Sequence, residues 1–258
     1  MTSRPLVLLS NDDGYAAPGL QALRRALEVF ADVVVCAPET NQSATSHSLT
    51  LHRILRLRTP EPNVFSVDGT PADCVYVALH SAGRVLARQP DLCVSGMNHG
   101  LNLGVDVFYS GTVAAAREAA LRGIPSVAVS ADIKADPSAA ARAGADVARA
   151  LLEAQRGSAS RAALLNVNIP PGNTWPVRAT RLGARVYGAE VVFRTDPRGG
   201  EYLWIGGSAA THHDSPGADT EAYDEGVIGV TSLALDLSDA AGASVAGEIA
   251  SRVTAPSA

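Results

Sequence analysis

The chain reads as an α/β protein with a Rossmann-like, doubly wound, mostly parallel sheet, and three observations predict this. Apolar runs recur at residues 5–9, 33–37, 91–94, 126–129 and 163–167 without polar alternation, as parallel strands covered on both faces require. Helical stretches separate most of these runs, and strand alternating with helix is the signature of a doubly wound sheet. A length of 258 residues, 47% of them hydrophobic and 18% charged, suits one main domain with a smaller appendage.

The elements follow in order. Residues 5–9 stop at Ser10-Asn11-Asp12-Asp13-Gly14, and 18–30 then carry helical spacing at Leu20, Leu23, Leu27 and Phe30. The second strand, 33–37, ends at Pro38 and opens a polar loop through His47. Short strands are expected at 50–57 and 64–67, and a helix over 71–82 with proline in its first turn. The strand at 91–94 ends at Ser95-Gly96, and Ser110-Gly111-Thr112 opens a small-residue helix to Arg122, stopped by Gly123 and Pro125. A helix over 139–154 and a strand over 163–167 complete this part, with Gly157-Ser158 as a loop signal. Beyond Pro170-Pro171-Gly172 the character changes. Residues 186–193 and 202–205, flanking Asp196-Pro197-Arg198-Gly199-Gly200, predict a β-hairpin arm, and the alanine-rich tail 238–253 a terminal helix. The expected organisation is a catalytic domain over 1–175 and an oligomerisation region over 176–258 packed on it.

Composition narrows the partners. A net charge of −5 gives no basic footprint for a nucleic-acid polymer. Lys134 is the sole lysine among 21 basic residues, so positive charge is almost wholly guanidinium. Cys36, Cys74 and Cys93 lie singly in apolar runs without metal-binding spacing, which suggests reduced core thiols. No apolar run reaches a membrane span of about 18 to 20 residues, and no signal-like segment opens the chain. A cytoplasmic protein without membrane attachment is expected.

Ligands of open α/β sheets bind beyond the carboxyl ends of the strands, and three post-strand loops here carry unusual chemistry. Asp12 and Asp13 are adjacent carboxylates whose repulsion a hard divalent cation would relieve. One Asp capping the next helix with the other in water explains the pair equally well. The loop from Pro38 to Ser48 is dense in hydroxyl and amide groups that suit a hard ion, a substrate, or simply water. In the third loop Asn98 offers a neutral carbonyl oxygen, while Ser110, Gly111 and Thr112 at a helix start supply hydroxyls, free N–H groups and a positive dipole end for an anion. Ordinary N-capping is the competing explanation for that triplet. Convergence of the three loops favours a metal beside a phosphate. His47 and His99 flank these loops but read as surface histidines, and His212-His213-Asp214 reads as a solvated loop rather than a metal cluster.

These loops fall in linked blocks: Leu9-Ser10-Asn11-Asp12-Asp13-Gly14, Ala37-Pro38 with Asn41-Gln42-Ser43, Asp68-Gly69-Thr70-Pro71-Ala72-Asp73-Cys74, Ser95-Gly96-Met97-Asn98, and Tyr109-Ser110-Gly111-Thr112-Val113. In this order they resemble the SurE nucleotidases, also called survival protein E, with weaker likeness at Asn166-Val167-Asn168-Ile169-Pro170, Asp196-Pro197-Arg198-Gly199 and Asp224-Glu225-Gly226. Departures are mild: Met97 stands for a usual isoleucine, and Ala218 for threonine in Gly-Thr-Asp. The resemblance implies hydrolysis of nucleoside 5′- and 3′-monophosphates, with short polyphosphate in some members, by a divalent cation, Mg²⁺ or Mn²⁺ best suiting the donors. It carries the metal ligands onto Asp12, Asp13, Ser43 and Asn98, and it implies a homodimer or homotetramer built partly from a hairpin and C-terminal segments. Asn98, Ser110, Gly111 and Thr112 would then grip phosphate, and Asp12 or Asp13 would serve catalysis by orienting or deprotonating the attacking water. A covalent aspartyl-phosphate is the alternative chemistry. A non-catalytic nucleotide sensor and, behind it, a metal-dependent glycosyltransferase are the rival functions.

Overall fold

The computed structural model describes residues 4–157, 161–188, 190–205, 211–213 and 215–254, so Ser158 and Asp214 lie outside the described residues. Nine strands form one sheet. In chain order the elements to its middle are β1 (Leu6–Ser10), α1 (Pro18–Leu27), β2 (Asp32–Pro38), β3 (Leu57–Glu61), β4 (Val64–Val67), α2 (Pro71–His80) and β5 (Leu92–His99). A 3-10 turn (Gly104–Phe108) precedes α3 (Gly111–Leu121), β6 (Ser126–Ala131), α4 (Pro137–Gln155) and β7 (Leu164–Ile169). Then come β8 (Val177–Thr180), β9 (Arg185–Val186), β10 (Val191–Thr195), β11 (Glu201–Ile205), β12 (Thr211–His212), α5 (Asp219–Asp224), β13 (Ile228–Ser232) and α6 (Ala243–Thr254).

The sheet order is β3-β4-β2-β1-β5-β6-β7-β13-β8. From β4 to β7 all pairs are parallel, and these six strands, ranked by chain order, run 3-2-1-4-5-6, the order of Rossmann folds. The order reverses between β1 and β5, which leaves a crevice at their carboxyl ends. Side-chain alternation feeds two layers. Val7 and Leu9 face α1 and α4 beside Leu20, Leu23 and Leu151, whereas Leu8 joins Cys74, Val75 and Ala119 of α2 and α3.

Three expectations change, and three elements are new. The stretch 50–57 is not a strand. Its polar groups are taken by side chains, Thr50 by Asp73 and the Arg56 N–H by Asp68 at 2.7 Å, so pairing with β4 starts only at Leu57. β5 runs past Ser95-Gly96 to His99, because a register shift between Gly96 and Asn98 keeps it paired to β6. Gly96 stands at φ +137°, where a Cβ would lie 2.3 Å from the Val129 carbonyl oxygen. The expected strand 186–193 is two, β9 pairing with β12 and β10 with β11. Finally, β8, α5 and β13 carry too little local periodicity to be seen in sequence. β13 pairs antiparallel with β7 and parallel with β8, so the main sheet continues past residue 175.

The hairpin arm itself is present outside the main sheet, and the terminal helix is α6. Cys36, Cys74 and Cys93 are buried free thiols. No helix among the described residues is long and apolar enough to cross a membrane.

Candidate active site

The crevice between β1 and β5 is where the three polar loops meet. Asn11 is fully buried and ties its amide to both polar groups of Gly14, accepting its N–H at 3.2 Å and donating to its carbonyl at 3.0 Å. This local ring holds Asp12 and Asp13 at the strand end. Neither Asp caps α1, whose N-cap is Ala17 with no side-chain hydrogen bond and whose first residue is Pro18. The capping explanation of the acidic pair therefore fails.

Asp12 is buried on the α3 side, where it accepts the Thr112 hydroxyl. Gly111 leaves room for it: a Cβ there would lie 2.8 Å from the Asp12 Cβ. Burial pushes the Asp12 carboxyl above its usual range; the Thr112 hydroxyl pulls it back, and the neighbouring Asp13 charge raises it again. Asp13 accepts the Asn41 amide at 3.2 Å and the His99 backbone N–H at 3.3 Å. The second loop is strapped down. Its Gln42 N–H donates to the Asp12 carbonyl at 2.7 Å, and the Ser46 N–H to Tyr109 at 3.0 Å. The Ser43 N–H donates to the Asn41 side-chain oxygen at 2.9 Å. Asn41 thus links Asp13 to Ser43, a role that residue-by-residue transfer of ligands passes over although Asn41 heads the quoted Asn-Gln-Ser block.

Asn98 sits at the end of β5, its amide nitrogen donating to the Gly100 carbonyl at 3.0 Å, which leaves its carbonyl oxygen for a ligand. At the start of α3 the Ser110 hydroxyl accepts the Val113 N–H at 3.1 Å, so N-capping is part of its role. The Thr112 hydroxyl is given to Asp12, and the Gly111 N–H lies in the first helical turn, where the helix offers no acceptor. Behind these loops Asn102, Asn166 and Asn168 form a buried network. Asn168 accepts the Asn102 N–H at 2.8 Å, and both other amides donate to the Asn102 carbonyl. Alternating Asn on a core strand, Asn166-Val167-Asn168, was its visible signal.

His47 is not a free surface group: it pairs with buried Glu118 at 2.9 Å and pins the second loop to α3. His212 belongs to β12 and hydrogen-bonds Asp224.

The donors fit a hard divalent cation. Among the described residues no cluster of three His, Cys, Asp or Glu side chains forms; the two carboxylates lie beside Asn98 and the loop that carries Ser43, and carboxylate, amide and hydroxyl oxygens are donors suited to Mg²⁺ or Mn²⁺. A cation there would reverse the penalty that burial and Asp13 place on the Asp12 charge. On the α1 and α4 side of the crevice a cleft of about 550 Å³ borders Asp13 and Asn98, walled by Pro18, Met97, Ile133 and Ala135.

The family model described as survival protein SurE matches residues 7–189. The chain belongs to the SurE family. A relative from Sorangium cellulosum, named 5′-nucleotidase SurE, is 64% identical over 251 residues, 97% of each chain. One from Anaeromyxobacter sp. (strain Fw109-5), of the same name, is 50% identical over 90% of this chain and 91% of its own. The crystal structure of the SurE protein from Aquifex aeolicus superposes with a TM-score of 0.81 at 38% identity, covering 95% of this chain and 100% of that one. The family likeness read from the linked blocks and the α/β fold are both upheld.

Proposed function

We propose that this SurE family member hydrolyses nucleoside 5′- and 3′-monophosphates to nucleoside and phosphate, with one divalent cation per subunit, Mg²⁺ or Mn²⁺, and that short polyphosphate is also a substrate. The name shared by its relatives makes the chain a phosphoric monoester hydrolase acting on nucleoside monophosphates. One observation carries the metal-dependent reading: an uncapped pair of carboxylates, Asp12 buried and Asp13 half-buried, stands at the β1 and β5 switch point, between Asn98 and the start of α3.

Asp12, Asp13, Ser43 and Asn98 would hold the cation, which supplies charge neutralisation on the phosphate and a lowered pKa for a water. Asp12 is committed to Thr112 and stays fixed. Asp13 is half-buried and accepts only long hydrogen bonds of 3.2 and 3.3 Å, so it is the carboxylate free to orient or deprotonate the attacking water. Asn98 and the α3 start, through Ser110, Gly111 and Thr112, grip the other phosphate oxygens, with the helix dipole favouring the negative charge that develops there. The mostly apolar cleft beside Asp13 takes the nucleoside.

The region after residue 175 serves homodimer or homotetramer assembly. The arm exposes Phe193, Trp204 and Ile205, and α6 exposes Val245, Ile249 and Val253 at four-residue spacing, apolar faces that a second copy would cover. The buried thiols accord with a reduced, cytoplasmic setting.

Phosphate release from a panel of nucleotides, with and without chelator, tests this reading. Activity should vanish with chelator, return with Mn²⁺ or Mg²⁺, and fall by orders of magnitude in Asp12→Asn and Asp13→Asn. Undiminished release in both variants would overturn the site, and a trapped phosphoaspartate would overturn attack by water.

A further inference from the structure

The 3-10 turn Gly104–Phe108 delivers the chain to Ser110, and its start is clamped by the region beyond residue 175. Asp219, at the start of α5, accepts the Gly104 N–H at 3.0 Å with one oxygen and the Gly183 N–H at 2.7 Å with the other. The clamp is tight. A Cβ on Gly104 would lie 2.4 Å from the Gly183 carbonyl oxygen, and one on Gly183 would lie 2.3 Å from the Thr220 hydroxyl.

Asp106, within the turn and 6% exposed, joins two sides of the molecule. Its carboxylate accepts the Leu103 N–H at 3.0 Å, the Arg185 guanidinium at 2.6 Å and the Tyr187 hydroxyl. Its backbone carbonyl accepts the N–H groups of Tyr109 and Ser110, each at 3.0 Å. Arg185 lies in β9, which pairs with β12 at the foot of the arm. Burial and then the Asp106 hydrogen bond push the Tyr187 hydroxyl up to about 12.

We propose that Asp106 is a positioning residue which, held by Arg185 and Tyr187 from the foot of the arm, aims the Ser110-Gly111-Thr112 helix start at the phosphate. The inference rests on the phosphatase reading above. It makes the arm more than an assembly device, because its base contacts the anion site through one residue. A carboxylate suits this role better than an apolar contact, since charge-assisted hydrogen bonds spread over both of its oxygens hold direction as well as distance.

Full-length Tyr187→Phe and Asp106→Asn test it. Calorimetry reads the affinity of the Mn²⁺-loaded protein for inorganic phosphate, a second titration reads Mn²⁺ alone, and thermal melting reports the fold. In Tyr187→Phe, phosphate Kd and nucleotide KM should rise roughly tenfold, with Mn²⁺ affinity within about twofold and melting unchanged, as for a misaimed binding group. Asp106→Asn should show the same pattern more strongly. Unchanged phosphate affinity in both variants would overturn the proposal. So would parallel loss of phosphate affinity, Mn²⁺ affinity and melting temperature, which would mark a folding role only. A wild type that binds phosphate yet turns over no nucleotide would sink the phosphatase reading and leave this test readable, because affinity is measured without turnover.

Discussion

Gly111→Ala is expected to disable the site while leaving the fold standing. A Cβ at this position would lie 2.8 Å from the Asp12 Cβ, 3.0 Å from the Pro71 ring and 3.2 Å from an Asp12 carboxylate oxygen. Ordinary contact begins at 3.4 Å, so about 0.6 Å must be found, and Pro71 is rigid within the first turn of α2. Asp12 is the group that yields, losing its alignment with Thr112. Overpacking costs roughly 1 to 3 kcal/mol, and alanine at the first position of α3 returns only part of the about 1 kcal/mol that it gains over glycine in a helix interior, so stability should drop by a few kcal/mol at most. Catalysis has no such offset: a displacement on this scale, at a group proposed to hold the metal, should cost on the order of 10²-fold in kcat/KM. Phosphate release from a nucleoside monophosphate at saturating Mn²⁺, beside a melting curve, measures both. Wild-type kcat/KM in Gly111→Ala would refute the claim that activity depends on where Asp12 is held.

Other perturbations follow from the same contacts. Glu118 has its carboxyl held below the usual range: burial works against this, but hydrogen bonds from His47 and Arg122 outweigh it. Its contribution is therefore complete above the ordinary carboxylate value near 4.5 and is lost as pH falls through the lowered one. Glu118→Gln should flatten the acid limb of a stability-against-pH curve, and an unchanged limb would count against the pairing. Asn168→Leu orphans the buried Asn102 N–H, for a loss of about 1 to 3 kcal/mol by denaturant titration; a neutral result would mean the network is not needed. Joint replacement of Trp204 and Ile205 by serine should lower the mass measured by light scattering if the arm assembles subunits, and an unaltered mass would remove it from the interface.

Much of the site was legible locally. The continuous runs at Val33-Val34-Val35 and Leu92-Cys93-Val94 announce two-sided burial, and each post-strand loop shows its polar chemistry in a few consecutive residues. Asp12 with Asp13, and Ser110 with Gly111 and Thr112, are patterns of this kind. The strand order was not legible, because β1 lies between β2 and β5 through pairings 26 and 85 residues away in sequence, Leu6 with Asp32 and Val7 with Leu92. The same limit hid β13, whose five residues carry no distinctive periodicity and gain their place from β7 and β8.

By itself, then, the sequence determined the fold class, the family and the acidic pair, since these rest on periodicity and contiguous motifs. Only the tertiary structure decided that Asp12 is sealed against α3 while Asp13 faces the crevice, that Asn41 joins the second loop to Asp13, and that Asp106 bonds Arg185 and Tyr187 while its carbonyl accepts the Ser110 N–H. Each of those depends on long-range hydrogen bonds and burial, which exist only once distant segments have packed together.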